Sequence, residues 1–159
     1  MRRIIAVVGA AAVVVAGISA VAWAARSDRP ALAAPVTFTV IEHAKTDIVI
    51  DSDQSGGDTT GDLLTWHNKI FGPRNKTVVG KDQGDCIRID PAAGSWECRW
   101  ITFVPGGAIT VEGPFFDTHN NTIAITGGIG RFRNAQGTMF VKARKGGAEY
   151  AFIFHVIPG

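Results

Sequence analysis

The chemistry available to this chain starts from one amide set among large rings. In Gly61–Phe71 the residue types alternate, so Asp62, Leu64, Trp66, Asn68 and Ile70 share one face of an extended strand. Thr65, His67 and Lys69 take the other face. A second run puts Trp96, Cys98, Trp100 and Thr102 on one face, and a third does the same for Ile109, Val111, Gly113 and Phe115. Turned inward, these faces gather Trp66, Trp96, Trp100 and Phe115 around Asn68. Two readings stand at this point. The rings are a packed core, or they line an apolar ligand cavity in which Asn68 is a polar anchor.

Other chemistries lack their parts. There is no G-x-S-x-G, and beyond residue 33 the only serines are Ser52, Ser55 and Ser95, so a serine nucleophile has little to be built from. His43, His67, His119 and His155 are scattered without ligand spacing and read as surface or core histidines. Gly127-Gly128-Ile129-Gly130 leads into Arg131-Phe132-Arg133 and not into a helix, which fails both the dinucleotide and phosphate-loop patterns. Those glycines read instead as a tight turn with left-handed backbone. No cofactor is expected. Nor is a metal, because Cys86 and Cys98 are not in C-x-x-C spacing and no His pair accompanies them.

The elements that must position Asn68 and the rings come from a chain of 159 residues, 46% hydrophobic and 19% charged. That allows one domain. The formal charge of +2 belongs to the first 33 residues, because the remainder carries 12 basic and 13 acidic side chains. A nucleic-acid surface is therefore excluded. Met1-Arg2-Arg3, an uncharged Ala- and Val-rich run from Ile4 to Ala25, and Ala31-Leu32-Ala33 read as a signal peptide over residues 1–33. The competing reading is an uncleaved membrane anchor. Either way residues 34–159 form the exported domain. Cys86 and Cys98 are the only cysteines, so they have one possible pairing if they oxidise, which suits that compartment.

Beyond Val36 short alternating runs recur between turn residues. Strands are expected at Val36–Ala44 (continuing toward Ile50), Gly61–Phe71, Lys76–Asp82, Cys86–Ile89 after a bulge at Gln83-Gly84, Trp96–Val104, Ala108–Phe116, Thr122–Thr126, Thr138–Arg144 and Glu149–Ile157. Asp51–Thr60 is a polar loop and Pro91–Gly94 a turn. About eight strands joined by short turns predict an all-β antiparallel barrel or a sandwich. A barrel of that size is filled by side chains or holds one small ligand.

Several of these residues recur as motifs in a known order. Gly61-Asp62-Leu63-Leu64-Thr65-Trp66-His67-Asn68-Lys69-Ile70-Phe71, Val79-Gly80 with Gly84-x-Cys86, Gly113-Pro114-Phe115, and Ala124–Phe132 resemble the allene oxide cyclases of plants. The Gly-Gly-x-Gly-x-Phe stretch with Ala135-x-Gly137 is also similar to the dirigent proteins. The resemblance spans about residues 36–157. It implies an eight-stranded antiparallel barrel, often a homotrimer, with a hydrophobic cavity, no cofactor and a small, apolar, pre-activated substrate. It further implies Asn68 as the cavity amide that holds an ordered water against a developing oxyanion. Glu42 falls at the cavity carboxylate that promotes ring opening, Leu64, Trp66, Trp96 and Phe115 at the pocket lining, and Cys86 at the cavity cysteine. The water site it implies lacks partners here, since Ala44 replaces a second Asn and Lys45–Ile50 holds no Ser-Pro. Two functions follow as expectations. One is an exported cofactor-independent cyclase or isomerase using Glu42 and Asn68. The other is a non-catalytic secreted barrel that binds a hydrophobic ligand or assembles.

Overall fold

The computed structural model describes residues 34–157 and residue 159. The expected leader, and with it the anchor alternative, lies outside the described residues. Among the described residues no helix is long and apolar enough to cross a membrane.

The chain runs β1 (Val36–His43), β2 (Ile48–Ile50), β3 (Leu63–Trp66), β4 (Lys69–Phe71), β5 (Val78–Asp90), β6 (Ser95–Val104), β7 (Gly107–Phe116), β8 (Asn121–Gly130), β9 (Gln136–Arg144) and β10 (Glu149–Ile157). A single 3-10 turn, Lys145–Gly147, precedes β10. Every pairing is antiparallel. The order β2-β3-β5-β4-β1-β10-β9-β8-β7-β6 closes on itself through β5–β6. Because β3 and β4 both pair along β5, and β1 and β2 pair along β4 and β3, each couple is two halves of one stave, and the barrel has eight staves.

The alternating faces decide which side is buried. Leu64, Ile70, Cys86, Trp96, Cys98, Trp100, Ile109 and Val111 all enter the core, which continues through Met139, Val141, Phe152 and Phe154. Closure leaves those apolar faces no solvent to meet. Cys86 and Cys98 sit directly opposite in β5 and β6 and form a disulfide. Closing a loop of 12 residues' separation stabilises the fold by about 3 kcal/mol in the chain-entropy view. Cys86→Ala with Cys98→Ala is therefore expected to lower unfolding stability by about that amount, read from urea midpoints. Equal midpoints would show that the bridge adds nothing.

Three details differ from the alternation reading. First, β5 is continuous through Gln83-Gly84, and its register shifts fall instead between Val78 and Gly80 against β4 and between Arg88 and Asp90 against β6. Gly84 is needed there for close approach, not for a bulge. It pairs with both Trp66 and Trp100, and a Cβ at this position would collide with Trp100 Cβ and the Arg99 carbonyl. Second, Gly127, Gly128 and Gly130 lie inside β8, and only Gly130 has a positive φ, at 66°. A Cβ on Gly128 would strike the Phe132 carbonyl, so close backbone approach explains that residue better than a turn. Third, the two N-terminal staves are each interrupted, one at residues 44–47 and the other at 67–68. The interruptions face one another, because β1 pairs β4 and β2 pairs β3.

Candidate functional site

Asn68 fills the gap left by those facing interruptions. Its Oδ1 accepts from the backbone N–H groups of Lys45 and Thr46 and from the Thr46 hydroxyl, each at 3.0 Å. Its Nδ2 donates to Glu42 Oε1 at 2.9 Å and to Asp47 Oδ1 at 2.7 Å. The Thr46 hydroxyl also accepts from the His67 N–H at 2.9 Å. One side chain thus replaces the missing ladder bonds, as a buried amide must when every donor and acceptor needs a partner. The same break turns Asp47 toward the end of the lumen, beside Glu42.

Glu42 reaches this point from β1, where it is opposite Ile70 and Tyr150. It is buried, and its carboxyl lines a small interior cavity with Asp47, Leu64, Trp66, Trp100 and Tyr150. Cys86, Phe115 and Phe152 complete the wall. The volume is about 20 Å³, room for roughly one water molecule. The rings account for this. Trp100 packs on Trp66 at 5.8 Å, on Phe152 at 5.6 Å and on Phe115 at 6.2 Å, and Phe115 meets Tyr150 at 5.0 Å. The interior is aromatic as the alternation predicts, but in this conformation it is close to full. A larger concavity, about 690 Å³, is an open trough on the outer wall lined by Thr65, His67, Gln83, Asp85, Arg99 and Ile101.

Asp82 stands behind Glu42. It is fully buried in β5, opposite Thr102, with its N–H held by the Asn68 carbonyl at 3.0 Å. Neither of its carboxyl oxygens has a hydrogen-bond partner. Trp66 Nε1, Trp100 Nε1 and Thr102 Oγ1 are likewise buried and unpartnered. All four residues lie in two neighbouring rows, Trp66–Gly84–Trp100 and Asp82–Thr102. Burial raises the Glu42 carboxyl well above the usual range, and the nearby Asp82 and Asp47 charges add to it against the pull of the Asn68 bond. Burial pushes Asp82 up to about 7, while Glu42 and the Trp66 indole beside it act the other way. Burial also raises the Tyr150 phenol, whose O–H donates to the Asp117 carbonyl at 2.7 Å.

Of the residues singled out from sequence, Glu42, Leu64, Trp66, Cys86, Trp100 and Phe115 meet at the cavity, and Asn68 braces it from behind. Its two donors are both taken, so Asn68 holds carboxyls in place and has no free N–H for an oxyanion. Cys86 is present as a disulfide sulfur, not as a thiol. Trp96 is buried but stands apart from the cavity wall. The Arg88 guanidinium covers its ring at 3.7 Å, and its indole N–H donates to Asp117 Oδ1 at 2.7 Å. Sequence reading missed Asp47, Asp82 and Tyr150. Two of them carried a signal. With β5 read straight through Gly84, Asp82 falls in phase with Cys86, and Tyr150 is in phase with Phe152 and Phe154. Asp47 sits in an irregular connection with no period to reveal it.

No protein-family model and no curated protein sequence matches the chain. Solved structures do. A pyocyanin demethylase superposes with a TM-score of 0.62 at 22% identity, covering 75% of this chain and 100% of that one. A pterocarpan synthase dirigent protein gives 0.66 at 17% identity, over 79% of this chain and 88% of that one. A Diels-Alderase from Streptomyces koyangensis gives 0.61 at 16% identity, over 83% and 70%. The chain therefore shares its fold with dirigent and cyclase barrels, in agreement with the resemblance drawn from its motifs.

Proposed function

We propose that this chain is an exported barrel that isomerises or cyclises a small, apolar, already activated molecule without a cofactor, with Glu42 as its acid–base group. The observation that carries this reading is the carboxyl–amide cluster at the end of the aromatic lumen. Asn68 pins one oxygen of Glu42, which leaves Oε2 to meet a substrate atom. Among the described residues no ion pair involves Glu42, Asp47 or Asp82. Glu42 and Asp82 are buried without a cation, while Asp47 is exposed. Two such buried carboxyls destabilise a fold, and a barrel needing only a core would fill their space with apolar side chains. Their presence supports a site.

Catalysis by enclosure suits such a lumen. Rings that hold a reactive molecule in one conformation supply proximity and exclude water. Trp66 and Trp100 add π faces for a delocalised cation, and Trp100 adds an unpartnered indole N–H for a substrate oxygen. With about 20 Å³ free, entry requires these rings to change rotamer, and half-buried Trp66 and Phe115 are the ones placed to do so. Neighbours that are themselves cyclising enzymes, a Diels-Alderase among them, support the reading. The disulfide is compatible with export. The exposed outer-wall row of Ile50, Leu63 and Ile87 suits the homotrimer that the resemblance implies.

The nearly full lumen favours a second reading, a barrel that binds a ligand unchanged or serves only in assembly. One experiment separates the two. Untargeted metabolite profiles are compared between a deletion strain and its parent, with wild type and Glu42→Gln restored separately. An isomerase predicts two compounds of identical mass whose ratio shifts on deletion and returns with wild type. Glu42→Gln is expected to lower turnover about 10²–10⁴-fold and so to leave the ratio shifted. Full restoration by Glu42→Gln removes Glu42 from the chemistry. A co-purifying compound that is identical with and without the protein supports binding alone.

A further inference from the structure

We propose that Asp82 is the buried partner of Glu42, the two carboxyls holding one proton between them and presenting it to the lumen through Glu42. The inference deepens the proposed reading of the site and rests on it for its chemical use.

Asp82 has no structural task that its side chain performs. Its backbone is anchored by the Asn68 carbonyl, and both side-chain oxygens are buried with no well-aligned donor among the described residues, Glu42 and the Trp66 indole being the groups beside them. Buried carboxyl oxygens in a finished core are normally satisfied. The groups that face the pair come from each neighbouring element. They are Glu42 from β1, Asp47 from the β1–β2 connection, Trp66 and Asn68 from the second stave, Thr102 from β6 and Tyr150 from β10. None of these is a cation. Two adjacent carboxylates in a water-poor interior repel each other strongly, and the pair answers by keeping a proton. Burial raises both carboxyls, and Asp82 adds to the rise at Glu42.

The geometry also divides the labour. Glu42 lines the cavity and Asp82 does not. Asp82 is therefore a positioning residue, acting on substrate only through Glu42. Its role is to add to the burial that already raises Glu42, so that Glu42 holds its proton more tightly than burial alone would make it. During an isomerisation the proton passes from Glu42 to a substrate atom, and one proton returns to the pair from the isomerised product. No other reactant is consumed.

The test needs no substrate. Carboxyl groups labelled with ¹³C at Asp and Glu are titrated by infrared spectroscopy in wild type, Asp82→Asn and Glu42→Gln. Wild type is expected to keep a protonated-carboxyl signal at neutral pH. Asp82→Asn removes the like charge and is expected to lower the Glu42 midpoint by about one pH unit or more, tenfold in proton affinity. Glu42→Gln, the second variant, takes away the carboxyl proton that Glu42 turns toward Asp82 and is expected to raise the Asp82 midpoint. A wild-type spectrum with every carboxyl ionised at neutral pH overturns the proposal. Midpoints that ignore the partner's replacement overturn it too. Should the pair titrate as proposed while Glu42→Gln restores the metabolite profile, the proton pair stands and the catalytic reading falls.

Discussion

Arg88→Ala is expected to destabilise the barrel by about 3 kcal/mol. Arg88 projects inward from β5, where its side chain is only 7% exposed. Its Nε donates to Asp58 Oδ1 at 2.8 Å, and its Nη1 donates to Asp117 Oδ2 at 2.9 Å. Its guanidinium lies 3.7 Å from the centre of the Trp96 ring. Both carboxylates are 46% exposed, so on losing Arg88 they rehydrate, and the ion pairs alone are worth little. Most of the effect comes from the uncovered indole and the void left by the stem. Arg88→Lys keeps a charge but not a planar group that can stack and fork, so it is expected to recover only a minor part. Urea midpoints measure the loss, and quenching of Trp96 fluorescence reports its exposure. A fully stable Arg88→Ala variant would show that Trp96 is held by β-structure alone.

Asp82→Asn is expected to act in the opposite direction, and only at higher pH. The folded-state value of about 7 lies above the ordinary 3.8. Folding therefore favours the protonated form. The stability this group contributes is fully present at low pH and is lost as pH rises from about 4 through about 7. Glu42 contributes with the same sign. Asp62 and Glu149 oppose it, because their carboxyls are lowered, chiefly by the Thr59 backbone N–H and by the Lys145 ammonium respectively. The difference between wild type and variant isolates the one position. Near pH 4 the two proteins should be about equally stable. Near pH 8 the variant should be more stable by up to about 4 kcal/mol. A stability difference that stays flat between those pH values would mean Asp82 does not change its charge on folding.

The inner faces of the barrel were readable because a strand repeats every two residues. Once Leu64 was placed inside, Trp66, Asn68 and Ile70 followed, and Cys86 opposite Cys98 tied two faces together. The pattern failed where backbone geometry departs from that repeat. Taking Gly84 for a bulge broke β5 and hid Asp82, although Gly84 only makes room for Trp100. Trp96 had the right phase, but its height along the barrel depends on Arg88 and Asp117, and neither distance nor contact can be read from phase. The role given to Asn68 changed for a similar reason. An amide's use is set by what occupies its two donors, and one of those partners, Asp47, comes from an irregular connection.

The sequence by itself determined an all-β antiparallel fold, its inward rings, the disulfide partners and the amide that belongs inside, from local periodicity and from there being only two cysteines. The motif resemblance added the barrel, which periodicity leaves open against a sandwich. Only the tertiary structure decided that Asn68 serves as a brace and that Asp82 stands behind Glu42. It alone decided that the rings leave space for about one water. Those outcomes depend on how staves far apart in the chain meet side by side, on where two interruptions coincide, and on which rotamers pack together, and no run of neighbouring residues encodes any of the three.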